Sequence, residues 1–180
     1  PDETPDLWTH DADNATRVER HVAGKAIHTP VSGWLTLTGG VWERDAKAIV
    51  RLTEEAMRKI PEEAEGLPDE QALAIQRWGI KSLSESAIKS AISLASARQS
   101  LSVKEEDLDK DDYLLGTPSG VLDLRTGRLV ADPAKHLVTR RVPVSWDPAA
   151  RAPRWDRFLA DVFGGDQEIV DFIQRYVGYC

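Results

Sequence analysis

The chain has 180 residues, with 23 Lys and Arg against 30 Asp and Glu and a formal net charge of −7. That length supports one sizeable core, or a main domain with a small appendage, and the acidic balance excludes a surface that coats nucleic acid uniformly. A single cysteine excludes an internal disulfide framework and a cysteine-cluster zinc site, and no apolar run reaches the ~20 residues of a membrane span.

Residues 1–10, with two prolines and acidic punctuation, read as a linker. Asp11, Asp13 and Asn14 offer N-caps to a helix with Ala15, Val18 and Val22 on one face, stopped by Gly24. A hairpin follows: Trp34–Thr38 and Val41–Arg44 flank the two-residue loop Gly39-Gly40. That register sets Leu37 opposite Trp42, with Leu35 on the same face.

From Asp45 the period becomes helical. Ala48, Ile49, Leu52 and Ala56 mark one helix, ended by Ile60-Pro61, and the acidic run 62–66 reads as a solvated loop. Pro68 to Leu83 is a second helix through Leu73, Ile75 and Trp78, with Gly79 as a weak point. Ser82 and Glu85 are spaced as a capping box for a third, carrying Ile88, Ala91, Ile92 and Ala95. Its Ser and Ala content suits either a close helix–helix contact or a thin surface face. Lys104 to Asp112 is a charged connector.

The stretch 113–130, YLLGTPSGVLDLRTGRLV, then sets three short strands around two turns. Arg125-Thr126-Gly127 suits a three-residue loop closed by a left-handed glycine, and Asp123 is placed to accept N–H bonds from it. Residues 137–144 read as an extended edge segment, since Pro143 lacks a donor. Trp146-Asp147-Pro148 is a turn. Trp155, Phe158, Leu159, Val162 and Phe163 recur at helical spacing, so Trp155 reads as the first core residue of its helix. Gly164-Gly165 stop that helix and Asp166 caps the next, with Ile169, Phe172, Ile173, Tyr176, Val177 and Cys180 as its stripe. The apolar faces of this helical hairpin must meet each other or a neighbour. The expected fold is α+β, mostly helical, with short antiparallel hairpins and a C-terminal helical hairpin.

Candidate chemistry is sparse. A phosphate-cradling P-loop needs Gly-x4-Gly-Lys-Ser/Thr, and Gly24-Lys25 lacks both flanks. Asp11-x-Asp13 and Asp111-Asp112 are the aspartate pairs available for divalent cations, but neither lies in an apolar strand, and both read as solvated caps. His10, His21, His28 and His136 have no metal-ligand spacing, and Ser119 has no group that sequence can link to it as a triad. No metal or cofactor is expected in this stretch, and it reads as catalytically inactive.

What remains is electrostatic. Between residues 125 and 157 stand Arg125, Arg128, Lys135, Arg140, Arg141, Arg151, Arg154 and Arg157 against Asp132, Asp147 and Asp156, eight against three and so +5 locally. Trp146 and Trp155 are interleaved, the mix that pairs phosphate contact with base stacking. The plainer reading is that these arginines solvate an edge strand and a helix face, or pair with the acidic 43–71 region.

The segments Gly120-Val121-Leu122-Asp123-Leu124-Arg125-Thr126-Gly127 and Tyr176-Val177-Gly178-Tyr179-Cys180, with an Asn14-Ala15-x-Arg17 helix start and a hairpin carrying Trp34 and Trp42, resemble one family. It is the domain preceding the superfamily 3 helicase in phage and plasmid primase–helicases, shared with the poxvirus primase–helicase. The resemblance covers roughly residues 11–180. It implies that the chain is a piece of a longer replication protein, with an ATP- and Mg-dependent helicase module downstream of Cys180 and, in some members, a primase upstream. Residues 1–10 would be a linker, 11–150 the mixed domain and 151–180 the helical hairpin leading into the helicase. A hexameric parent, DNA as partner, no membrane and the cytoplasm of a bacterial host are what it further implies. Two roles compete, a collar for ring assembly and a guide for DNA. A protein-interaction adaptor with no DNA role is the alternative.

Overall fold

The computed structural model describes residues 8–179; residues 1–7 of the expected linker, and Cys180, lie outside them. The chain divides into two compact units, residues 1–146 and 147–180.

In the first unit, α1 (Asp11–Val22), α2 (Ala46–Arg58), α3 (Asp69–Ser82) and α4 (Glu85–Ser96) form a helical layer. Beside it lies an antiparallel sheet of β1 (Ala26–Thr29), β2 (Gly33–Thr38) and β3 (Val41–Glu43). A second antiparallel sheet follows, β4 (Leu114–Thr117), β5 (Gly120–Asp123) and β6 (Arg128–Leu129). In the second unit, α5 (Pro153–Val162) and α6 (Gln167–Tyr179) are joined through Gly164-Gly165. The architecture is α+β, as the sequence implies.

The helical core gathers Val18 and Val22 of α1, Ile49 and Met57 of α2, Ile75 of α3 and Ala91 and Ala95 of α4. Ala15, Ala91 and Ala95 are fully buried. With side chains that small, α4 is a close-contact helix rather than a thin surface face.

Side-chain alternation makes the first sheet a partition. Ala26 and Trp34 pack with the helical core, whereas Ile27, Leu35 and Trp42 form a second cluster with Val103, Leu108, Ala134 and Leu137. Leu37 does lie opposite Trp42. A third cluster, Val41, Val121 and Val138, ties the two sheets together.

Four local readings change. Ala26–Thr29, unassigned from sequence, is the edge strand β1, paired so that His28 faces Trp34. In the acidic run 62–66, Glu62, Glu63, Glu65 and Gly66 are exposed as expected, but residues 62–64 belong to a 3-10 turn over 60–64 that buries Ile60 and Ala64. Gly79 is a packing position and not a weak point: a Cβ there would meet the Pro61 ring at 3.1 Å. The cap of α4 is Ser84, whose hydroxyl accepts the Ala87 N–H at 3.3 Å. Ser82 instead ends α3, fully buried.

Ser82 is buried because it serves Asn14, which is likewise buried and not a cap. Asn14 Nδ2 donates to Ser82 Oγ at 3.0 Å, while Asn14 Oδ1 accepts from Trp78 Nε1 at 3.1 Å and from Arg17 at 3.2 Å. Arg17 in turn grips Glu63 through Nε at 2.8 Å and a terminal nitrogen at 2.5 Å, and donates to the Trp8 carbonyl at 2.7 Å. The buried side-chain polar atoms of Asn14 and Arg17 are partnered, as burial requires. One polar network thus pins α1, α3 and the 60–64 turn, and accounts for the Asn14 and Arg17 positions of the helix start.

Of the expected extended segment 137–144, Leu137 is left-handed at φ 52° and residues 143 and 144 bend, so only its middle lies along the sheets. The Trp42 N–H donates to the Val138 carbonyl at 2.8 Å, Gly116 N donates to Arg140 O at 3.1 Å and Val142 N to Gly116 O at 3.0 Å. The segment therefore bonds to both sheets. A Cβ on Gly116 would lie 2.5 Å from Arg140 O and 2.7 Å from a Val41 methyl, so only glycine lets these backbones approach.

Candidate nucleic-acid and assembly surfaces

The 125–127 loop forms as its residues imply. Gly127 has φ 65°, Gly127 N donates to Asp123 O at 2.8 Å, and Asp123 Oδ1 accepts the Arg125 N–H at 2.9 Å. The other turn of the motif has a packing role. A Cβ on Gly40 would touch the Pro133 ring at 3.2 Å and the Gly120 Cα at 3.5 Å, so the two hairpin turns meet. Trp34 and Trp42 serve opposite faces of the first sheet, and Trp42 Nε1 donates to Ala134 O at 3.1 Å.

The arginines named from sequence fall into two groups. Arg125 is committed: it forms two bonds to Asp111, at 3.1 and 2.8 Å, and its guanidinium lies 4.1 Å from the Tyr113 ring centroid. Hydrogen bonding to Arg125 is the largest cause holding the Asp111 carboxyl below its ordinary range, with the Tyr113 N–H next, and the charge of nearby His136 adds to it. Arg141 pairs with Glu43 at 2.7 Å, the pairing with the acidic region that the plainer reading foresaw. Arg140 stands 3.9 Å from Asp109 and is largely exposed. Arg128, Arg154 and Arg157 have no carboxylate within ion-pair distance among the described residues, and Arg151 reaches only the neighbouring Ala150 carbonyl at 3.3 Å. Arg125, Arg128, Arg140 and Arg141 belong to the first unit; Arg151, Arg154 and Arg157 belong to the second.

Trp155 is not a core residue. In α5 only Leu159 is buried, while Trp155 stacks on Phe158 at 5.8 Å in the open. Phe158 is 53% exposed, Phe172 60% and Tyr176 59%; Phe172 and Tyr176 stack at 6.3 Å. Val162, Ile169 and Val177 are exposed beside them. Large apolar side chains at this density on a helix pair mark a contact surface.

Sequence reasoning counted Lys135 among the basic residues but missed Lys104 and Lys110. The connector 104–112 carries six carboxylates against Lys104 and Lys110, and averages to acidic. Folding sorts them. Glu105 turns away to accept from the Ser32 hydroxyl, with Ser32 and Thr29 holding its carboxyl below the ordinary range. Asp109, at φ 48°, accepts from Thr139 N at 2.7 Å, the Thr139 hydroxyl at 2.5 Å and Arg140 N at 3.2 Å. Because the Asp109 N–H also donates to Leu137 O at 3.1 Å, the connector is strapped to the 3-10 turn Pro133–His136. Lys104, Lys110, Lys135 and His136 thereby line one cleft of roughly 550 Å³, with Asp107 and Asp111. The signal was Lys135-His136 together with Lys104 and Lys110; the contact joining them was not local.

Asp11 and Asp13 lie in the first turn of α1, where Asp13 accepts the His10 N–H at 2.8 Å. Among the described residues no three or more His, Cys, Asp or Glu gather as a metal site, and no helix is long and apolar enough to cross a membrane.

No curated protein matches the chain. A family described as D5 N terminal like matches residues 15–164, from the buried face of α1 through both sheets to Gly164 after α5. Its matched span contains the Asn14–Arg17 helix from Ala15 onward, the Trp hairpin and the Gly120–Gly127 hairpin, each now with a structural reason. The chain belongs to this D5 N terminal like family, the domain that precedes the superfamily 3 helicase in primase–helicase replication proteins.

Proposed function

We propose that this domain is a non-catalytic assembly element of a DNA-replication primase–helicase, docking through α5 and α6 onto the helicase module or a neighbouring protomer. The observation that carries the reading is the exposed stripe of Trp155, Phe158, Val162, Phe172 and Tyr176. Full burial of such a side chain stabilises by about 1.5–3 kcal/mol, and these residues, 39–60% exposed, forgo a fraction of that each, so a covering surface is favoured. In this reading ATP and Mg²⁺ belong to a module downstream of residue 180, the parent assembles as a hexamer, and it is a phage, prophage or plasmid protein working in the bacterial cytoplasm.

A second reading, guidance of DNA beside the ring, is favoured because Arg128, Arg154 and Arg157 have no carboxylate partner among the described residues and Arg151 reaches only the Ala150 carbonyl. Arg125 and Arg141 give it less support, being held by Asp111 and Glu43.

The test is sedimentation of the parent protein carrying Phe158→Ser and Phe172→Ser. Both residues are solvent-exposed, so the variants keep the fold, and the expected result is loss of the higher-order species. An unchanged mass would overturn the assembly reading. The parent reading frame is the cheaper check: Gly-x4-Gly-Lys-Ser/Thr is expected downstream, and a stop codon or a bare linker there would favour an adaptor without a DNA role.

A further inference from the structure

We propose that the cleft between the 104–112 connector and the 133–136 turn is a binding groove for single-stranded nucleic acid, separate from Arg128, Arg140, Arg141, Arg151, Arg154 and Arg157. Lys104, Lys110 and Lys135 would contact phosphates there, and Tyr113, between the lining residues Asp111 and Leu114 in sequence, would stack a base.

Folding partitions the charge of the connector. Of the six connector carboxylates, Glu105 is turned to Ser32, Asp109 is consumed by the 139–140 backbone and Asp111 is held by Arg125. The cations are on the other side of the ledger. Lys104, Lys110 and Lys135 have only exposed partners: Glu106 at 3.5 Å, Asp107 at 3.0 Å and Asp132 at 2.8 Å. Exposed pairs of this kind are weak, and a phosphate oxygen offers each ammonium a stronger charge-assisted partner. Asp111, which lines the cleft, positions Arg125 under Tyr113, a residue outside the lining that is 54% exposed. Lysines for the backbone beside an ordered, exposed aromatic ring are what single-strand binding needs. The geometry offers no recognition of base edges, so binding would be tolerant of sequence. This groove does not depend on the assembly role.

The experiment titrates a fluorescent oligothymidylate into the chain at several salt concentrations, with four variants. Lys104→Glu/Lys135→Glu is expected to weaken binding on the order of tenfold and to reduce the log-affinity against log-salt slope by about 0.7 per lost contact. Tyr113→Ala should lose affinity on the order of tenfold while Tyr113→Phe retains it. Lys47→Glu/Arg77→Glu makes the same change in net charge at exposed positions outside the cleft and should bind as the parent chain does. Melting temperatures check that each variant is folded. Equal losses from the two double variants would reduce the effect to bulk charge and overturn the proposal, as would no binding by the parent chain at low salt. Mass in solution is read on the same samples. Binding lost with mass unchanged concerns the groove alone, and mass lost with binding unchanged concerns the assembly reading alone.

Discussion

Single residues in this domain are explained by what approaches them rather than by their own type. Gly116 is the clearest case, since a Cβ would sit 2.5 Å from the Arg140 carbonyl and 2.7 Å from Val41. Relief requires moving the 137–142 segment, which bonds to both sheets. Gly116→Ala is therefore expected to destabilise the fold by about 1–3 kcal/mol, the range for overpacking a filled site. A urea melt of the variant measures it, and an unchanged midpoint would mean that the backbone crossing is loose. Gly116 sits in a run that reads as an ordinary strand, so nothing local marks it. Asn14 was misread for the same reason: it looks like a cap because it stands near a helix start, and only Trp78 and Ser82, 64 and 68 residues away, make it a buried hub.

At the level of elements, the amphipathic helices were legible because burial imposes a 3.6-residue period on them. Their ends were less so. Two serines, Ser82 and Ser84, stand close enough for either to cap α4, and the spacing to Glu85 favours the wrong one. Ser84→Ala is expected to cost about 1 kcal/mol as a lost N-cap. Ser82→Ala acts through a different route, leaving Asn14 Nδ2 without its acceptor in a buried site. Thermal melts of the two variants, each alone and paired with Asn14→Ala, separate the mechanisms: the Ser82 effect should be absorbed in the Asn14 background and the Ser84 effect should add. Full additivity for both would remove Ser82 from the network. The strand β1 escaped notice because Ala26–Thr29 is short, and its identity comes from pairing with β2 rather than from alternation. The stripe of α5 and α6 was read correctly as apolar. Periodicity alone cannot distinguish a face covered within the chain from one left open.

For the whole molecule, pH dependence follows from carboxylates held in their charged form. Asp45 is lowered chiefly by its bond to Arg51, Glu105 by the Ser32 hydroxyl and Asp111 by Arg125, from ordinary values of 3.8, 4.5 and 3.8. A depressed folded-state pKa means that the unfolded chain binds more protons, so stability rises with pH and is lost as pH falls through the folded values. The melting temperature is expected to be flat, as far as these groups decide it, above about pH 5, and to fall progressively below it. All three groups are solvent-accessible, so salt should shrink the effect. Glu105→Gln should remove part of the acid limb; a limb unchanged by that variant would mean that the Ser32 contact contributes nothing.

The sequence by itself determined the helices, both hairpins, the Leu37–Trp42 register and the Asp123-capped loop. Each rests on contacts within a few residues, or on a period that burial imposes. It also carried the family, through the order and spacing of those same pieces. Tertiary structure alone decided that Asn14 and Arg17 are buried partners and that Gly116 is a backbone crossing. It alone pairs Arg125 with Asp111, and it draws lysines out of an acidic connector to line a cleft with Lys135 and His136. Those outcomes depend on which distant backbone arrives at a given side chain, and charge averaged along a sequence hides a sorting that only folding in three dimensions performs.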